Sequence, residues 1–230
     1  MKKHLVVLTG AGVSAESGLK TFRDNDGLWA GHDINEVASP DGWRKNPQLV
    51  LDFYNKRRTE VSLAQPNIAH KILAELQHHF QVSIVTQNID DLHERAGSDN
   101  VLHLHGEIFK MKSILNDNIS YEIRHEIFLG DLDENGHQFR PDIVWFGEPV
   151  PKFEQAVNIM QNAEVFILIG SSLQVYPAAS LINYVNSEVP KYIIDKKIPE
   201  CLGQKNLIPI QDTATSGILK LKNILLSEFK

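Results

Sequence analysis

The apolar run His4-Leu5-Val6-Val7-Leu8 ends abruptly in Thr9 and the glycine-rich stretch Gly10-Ala11-Gly12-Val13-Ser14-Ala15-Glu16-Ser17-Gly18. A continuous apolar run stopped by glycines reads as a strand buried on both faces, which points to a mostly parallel sheet covered by helices. In such sheets the turn at a strand's carboxyl end is where ligands bind. A second break of the same kind follows Val82-Ser83-Ile84-Val85, where Thr86-Gln87-Asn88-Ile89-Asp90 begins. His105 stands at the end of a third such run. Strands are predicted over residues 5–9, 82–86, 101–105, 143–146, 165–170, 191–195 and 207–210.

Helical spacing fills the gaps. Asn46-Pro47 places a cap before a proline in a first turn, and Leu49, Phe53, Lys56/Arg57 and Val61 continue the stripe. Asn67 caps a second helix carrying Ile68, Ile72, Leu76 and Phe80, and Ile218, Leu221, Leu225 and Phe229 mark a closing amphipathic helix. The expected fold class is α/β, a Rossmann-like mostly parallel sheet with a small inserted module and a helical insertion. One domain over 1–230 is expected, with its core in residues 1–30, 66–109 and 142–230, a helical insertion at 31–65 and a polar module at 110–141.

Composition narrows the function. A net charge of -6 without a Lys/Arg cluster disfavours a nucleic-acid surface. Lys56-Arg57-Arg58 and Lys220/Lys222 are the densest basic spots and read as solvated helix faces. The single cysteine, Cys201, excludes a disulfide framework and an all-cysteine zinc site. The first apolar run is too short for a signal sequence or a membrane span, so a cytoplasmic enzyme with no membrane partner is expected.

Gly10-x-Gly12-x-x-Ala15 is a loose dinucleotide fingerprint, its glycines allowing backbone N–H groups to approach a pyrophosphate. By itself it equally describes a plain strand-to-helix turn. The acidic residue that would hold a ribose about 20 residues on is replaced by the turn-rich Thr21-Phe22-Arg23-Asp24-Asn25-Asp26-Gly27. A hydride carrier is therefore not expected.

The stretch at 10–18 is followed by Thr21-Phe22-Arg23, Thr86-Gln87-Asn88-Ile89-Asp90-Asp91-Leu92-His93 and His103-Leu104-His105-Gly106. Val144-Trp145-Phe146-Gly147-Glu148 and Gly170-Ser171-Ser172-Leu173-Gln174-Val175-Tyr176-Pro177 complete the series. In this order, over nearly the whole chain, these motifs resemble the sirtuins, NAD-dependent protein lysine deacylases. The resemblance implies NAD as co-substrate, acylated-lysine proteins or peptides as substrates, and nicotinamide and O-acyl-ADP-ribose as products. It implies His105 as the base, with Asn88 and Asp90 beside it. Cofactor contacts are implied at Gly10, Ala11, Gly12, Ala15, Glu16, Thr21, Phe22, Arg23, Gln87, Asn88, Ile89 and Asp90. They continue at Gly170, Ser171, Ser172, Asp195 and Ala214. Asp195 stands where the family usually has Asn and Lys197 where it often has Glu, so the adenosine-ribose contacts differ here. Phe146-Gly147-Glu148 is implied as a strand edge to which the substrate peptide adds.

Two details refine this expectation. Tyr54 and Arg57 share a helix face, and a guanidinium with a nearby hydroxyl suits a carboxylate. With Ala38 leaving room upstream, the arrangement resembles the sirtuins that remove succinyl and malonyl groups. The family's four zinc cysteines are absent between His105 and Phe146, and Ser113 falls where the first would lie. His125, Asp131 and His137 fit no closed zinc spacing, so no zinc is expected. Instead, apolar contacts of Ile114, Leu115, Tyr121, Ile127, Phe128, Leu129 and Phe139 are expected to hold the module. NAD hydrolysis, ADP-ribosyl transfer or non-catalytic NAD or ADP-ribose sensing are the alternative readings.

Overall fold

The computed structural model describes residues 1–20, 29, 31–115, 119–201 and 203–229. Its strands are β1 (His4–Thr9), β2 (Gln81–Thr86), β3 (Val101–His103), β4 (Gly106–Ser113), β5 (Ser120–Glu122), β6 (Phe139–Ile143), β7 (Val165–Ile169), β8 (Lys191–Asp195) and β9 (Leu207–Gln211). Its α-helices are α1 (Ile34–Val37), α2 (Pro40–Lys45), α3 (Pro47–Leu63), α4 (Ile68–Glu75), α5 (Leu92–Arg95), α6 (Phe153–Gln161) and α7 (Ala214–Glu228). Six strands pair in parallel in the order β3-β2-β1-β7-β8-β9.

Successive side chains of β1 point to opposite faces. Leu5 and Val7 join Ile72 and Leu73 of α4 and Ile218 and Leu221 of α7 in one core. Val6 and Leu8 join Ala156 and Met160 of α6 and Leu181 and Ile182 of the 3-10 segment Ala178–Tyr184 in another. Both faces are covered, which is why these strands read as unbroken apolar runs. None of the described helices is long and apolar enough to cross a membrane.

The expected caps form. Asn46 Oδ1 accepts from Leu49 N at 3.1 Å at the start of α3. Asn67 accepts from Ala69 N at 2.9 Å, and His70 Nδ1 accepts from Asn67 N at 3.3 Å, closing a capping box on α4. The Asn67 amide also donates to Val13 O at 2.8 Å, tying α4 to the first glycine-rich turn.

Several expectations need correction. The third strand ends at His103, and His105 lies beyond it, in the bend before β4. The strand expected at 143–146 is shifted: β6 covers Phe139–Ile143. Phe146, Gly147 and Glu148 occupy a turn or bend rather than a strand edge. Extended backbone tolerated Arg140-Pro141-Asp142 because β6 pairs only with β4, where Pro141 faces Met111 at an edge. Arg57 and Arg58 are buried, and only Lys56 of that basic triplet is exposed. Arg58 reaches across to β4, donating to Ile108 O at 2.9 Å, and its Nη1 donates to Asn55 Oδ1 at 2.7 Å. Burial lowers its pKa to about 10.

The polar module is organised around the antiparallel sheet β5-β4-β6. Ile127 is buried with Ile123 against Leu51, and Phe139 meets Tyr121 edge-on at 5.5 Å. Leu115, Tyr121, Phe128 and Leu129 are exposed, so the expected apolar contacts hold only part of it. Polar ties do the rest. Asn55 clamps Ile127 through both backbone groups, at 2.9 and 3.0 Å, and Gln138 Nε2 donates to Phe128 O at 2.8 Å. Among the described residues no group of three or more His, Cys, Asp or Glu comes together to hold a metal ion.

Candidate active site

The chain runs from β1 to β2 on one side of the sheet and returns to β7 on the other. This reversal opens a crevice at the carboxyl ends of β1 and β7. Two glycine turns interlock there: Gly10 N donates to Ile169 O at 3.0 Å and Gly12 N to Gly170 O at 2.9 Å. Gly170 has φ +63°, and a Cβ on Gly12 would stand 2.6 Å from Gly170 Cα. No larger residue fits at these contacts. The cavity above them is about 500 Å³.

Around the two turns the cavity is lined by Gly10, Ala11, Gly12, Ala15, Glu16, Gly170, Ser171, Ser172, Asp195 and Ala214. Glu16 does not point a free carboxylate into this space. It accepts from Thr215 N at 3.0 Å and from Thr215 Oγ1 at 2.7 Å, bracing the first turn of α7. Asp195 Oδ1 accepts from Lys197 N at 2.9 Å at the end of β8. Thr21, Phe22 and Arg23 lie outside the described residues.

Gln87, Asn88, Ile89, Asp90 and His105 line the middle of the cavity. Gln87 Nε2 donates to Ser171 Oγ at 2.9 Å, joining the two turns. Asp90 is buried and accepts from Ser14 Oγ at 3.0 Å and from Leu92 N at 3.2 Å. Burial raises its pKa, and those two hydrogen bonds oppose the rise. Asn88 Nδ2 also donates to Ser14 Oγ, at 3.2 Å, so one hydroxyl orients both side chains.

His105 is half-buried, with Nδ1 3.0 Å from Gln87 O. A carbonyl only accepts, so Nδ1 carries the proton and Nε2 keeps a lone pair. Burial lowers the pKa, partly offset by the Gln87 carbonyl, and leaves the imidazole neutral near pH 7. His103 is its opposite. Burial disfavours its charge, but Glu94 at 2.7 Å and Asn88 O at 2.9 Å outweigh this and raise the pKa. With both ring nitrogens against acceptors, His103 favours its protonated form and supports Asn88 from behind.

The far end is lined by Trp29, Ala38, Tyr54, Arg57, Trp145, Phe146, Gly147 and Glu148. Tyr54 Oη and Arg57 Nε are buried with no hydrogen-bond partner. Leaving such groups unpaired costs about 1–3 kcal/mol each. Glu148 is held by Arg140, at 2.6 and 3.0 Å, and by Trp145 N at 2.8 Å. It therefore shapes the turn. Val144 N donates to His105 O and Phe146 N to Ala38 O, both at 2.9 Å, so this segment fastens the middle of the cavity to the helical insertion.

Thr9, Ser14, His70 and His93 join this network with no functional signal of their own in the sequence. Thr9 and Thr86 end neighbouring strands in register and share a hydrogen bond of 2.9 Å. Thr9 Oγ1 also meets His93 Nε2 at 3.1 Å, and Ser14 Oγ meets His70 Nε2 at 3.4 Å. Thr9 ends an apolar strand and Ser14 follows it, with polarity that turns also produce, while His70 and His93 sit inside helices.

Parallel strands, interlocked glycine turns and an oriented imidazole define a nucleotide-binding α/β protein equipped for acid–base chemistry. The Sir2 family model matches residues 10–177, and the chain belongs to that family. It is 53% identical over 219 residues, 95% of this chain and 96% of the other, to an NAD-dependent protein deacylase of Helicobacter pylori. The crystal structure of a Sir2 homologue in complex with NAD superimposes with a TM-score of 0.88 at 37% identity, covering 100% of this chain and 91% of that one. A Sir2 complex with a p53 peptide and NAD+ superimposes with a TM-score of 0.77 at 26% identity, covering 99% and 93%.

Proposed function

We propose that this chain is an NAD-dependent protein lysine deacylase acting on acylated proteins or peptides. It removes acetyl and, preferentially, succinyl and malonyl groups, and yields nicotinamide and O-acyl-ADP-ribose. The observation that carries the reading is the neutral His105, pinned through Nδ1 and sharing one cavity with Asn88, Asp90 and the side chains of Tyr54 and Arg57, whose Oη and Nε have no hydrogen-bond partner. The residues fit the co-substrate: the interlocked turns at Gly12 and Gly170 leave room only for backbone, as a pyrophosphate cradle requires. NAD when bound supplies an electrophilic sugar carbon and nicotinamide as leaving group.

The chain's own residues do the rest. Gln87, Asn88 and Asp90 orient amide and ribose hydroxyl groups through side chains that Ser14 and Ser171 hold in place. His105 Nε2 would take a proton from a ribose hydroxyl, whose oxygen would bond to the acyl carbon; nicotinamide would leave the sugar carbon, and with one water consumed the acyl–nitrogen bond would break and release the free lysine amine. Phe146, Gly147 and Glu148 form the turn at which the substrate main chain docks. The Arg57 guanidinium and the Tyr54 hydroxyl receive the carboxylate of an acidic acyl group. The chain works as one catalytic domain with a zinc-free module at 110–141, and stoichiometric zinc in the purified protein would contradict that assignment.

The test is NAD consumption with acetylated, succinylated and unmodified peptides, scored for products. O-acyl-ADP-ribose formed only with acylated peptides is expected. Free ADP-ribose regardless of peptide would replace deacylation with NAD hydrolysis. In Arg57→Met, the ratio of succinyl to acetyl kcat/KM is expected to fall by about 10- to 200-fold, the loss of a charge-assisted pair. An equal loss on both substrates would overturn the acidic-acyl preference.

A further inference from the structure

Arg57 makes one hydrogen bond among the described residues: Nη1 donates to Glu60 Oε2 at 3.2 Å. The two residues lie one turn apart on α3. The Arg57 side chain is 7% exposed, whereas Glu60 is 36% exposed and does not line the cavity. Glu60 therefore grips the guanidinium from outside. Nε is buried and unpaired, beside the equally unpaired Tyr54 hydroxyl. A guanidinium held at Nη1 still offers its Nε–Nη2 edge to a second, bidentate acceptor.

We infer that Glu60 is a positioning and specificity-setting residue, an internal counter-charge that determines how strongly Arg57 discriminates between acidic and neutral acyl groups. The inference rests on the acidic-acyl reading above and deepens it. With a neutral acyl group in the cavity, Glu60 leaves no uncompensated charge on the buried guanidinium. With an acidic acyl group, two carboxylates share one cation, and their mutual repulsion weakens the substrate's hold. Glu60 thus moderates the preference that Arg57 creates, and keeps acetyl-lysine within reach of the same site.

Glu60→Gln removes the charge but retains an acceptor for Nη1. The succinyl-to-acetyl ratio of kcat/KM is expected to rise about 3- to 10-fold, as expected for one like charge a few ångströms away at partial exposure. The gain is expected in KM for the succinyl peptide rather than in kcat. Glu60→Ala, which also deletes the acceptor, is expected to raise the ratio too. A merely structural role would lower activity on both substrates together and leave the ratio alone. An unchanged or reduced ratio in both variants overturns the inference. Arg57→Met separates the two levels of the argument. If it collapses the ratio while the Glu60 variants do not change it, only the role of Glu60 falls. If it leaves the ratio intact, the acidic-acyl reading falls, and this inference with it.

Discussion

At the scale of single residues, protonation state decides what His105 can do. Its pKa is lowered, chiefly by burial, against the pull of the Gln87 carbonyl. A base must be deprotonated, so a depressed pKa extends activity toward acid. The acid limb of kcat/KM is accordingly expected below the ordinary histidine value of about 6.5. A limb above it would mean that His105 is not the titrating base. His105→Ala is expected to lower kcat by about 10²- to 10⁴-fold, measured as O-acyl-ADP-ribose formed. Near-normal turnover in that variant would remove the mechanism. The motifs made His105, Asn88 and Asp90 legible in the sequence, because their polar groups follow strand-like runs directly. Arg57 was legible only as a candidate whose burial was unexpected, since a basic triplet on a helix usually faces water. Ser14 was quoted within its motif, yet its bonds to Asp90 and Asn88 span more than 70 residues and leave no local trace.

Among the elements, the turns after β1 and β7 interlock at the cavity they line. A Cβ at Gly170 would lie 2.4 Å from Val13 N and 2.5 Å from Gly12 C, at a φ of +63°. Gly170→Ala must therefore push two turns apart as well as adopt a left-handed backbone. Gly136 has a φ of +82° with open space around its missing Cβ, and isolates the second effect. Gly136→Ala is expected to cost about 1–2 kcal/mol of stability by chemical denaturation. Gly170→Ala is expected to cost more than that, roughly 3 kcal/mol or above, and to weaken ADP-ribose binding by calorimetry. Equal costs would show that the two turns do not need to touch. Element positions were legible wherever burial is two-sided, as in β1, β2, β7 and β8, or wherever a cap announces a helix, as at Asn46 and Asn67. They were misread at β6. There the apolar Ile143, Val144, Trp145 and Phe146 looked more strand-like than Phe139-Arg140-Pro141-Asp142-Ile143, which is held by pairing with β4 and by Arg140 stacked 3.4 Å over the Trp145 ring.

For the molecule as a whole, three buried histidines set opposing limits on stability. His70 and His93 pack with ring centroids 4.8 Å apart. Burial, and then Arg95, lowers the pKa of His70 to about 4; burial, and then His70 and His103, lowers that of His93 well below its ordinary value. Both are neutral in the folded protein. Below pH of about 6.5 the unfolded chain binds protons that the folded one refuses, so stability falls as pH falls. His103 runs the other way. Its pKa is raised in the fold, so its contribution is complete below about 6.5 and is lost as pH rises through the folded value. Asp90, raised by burial, tempers the acid side by taking up a proton in the fold, while Glu94, lowered despite its burial by the bond to His103, steepens it. With His105, whose pKa burial also lowers, the balance is three histidines against one, which predicts maximal stability near pH 6.5 and a steeper fall toward acid than toward base. The two protons that His70 and His93 take up on unfolding alone correspond to a slope of about 2.7 kcal/mol per pH unit on the acid side. Urea denaturation between pH 4.5 and 8 measures it directly. In His93→Gln the acid slope should drop by about 1.4 kcal/mol per pH unit, the share of one proton. A curve that is flat from pH 6.5 to 4.5 would mean that these rings are solvated, and the polar network beneath the cavity would then be looser than its hydrogen bonds indicate.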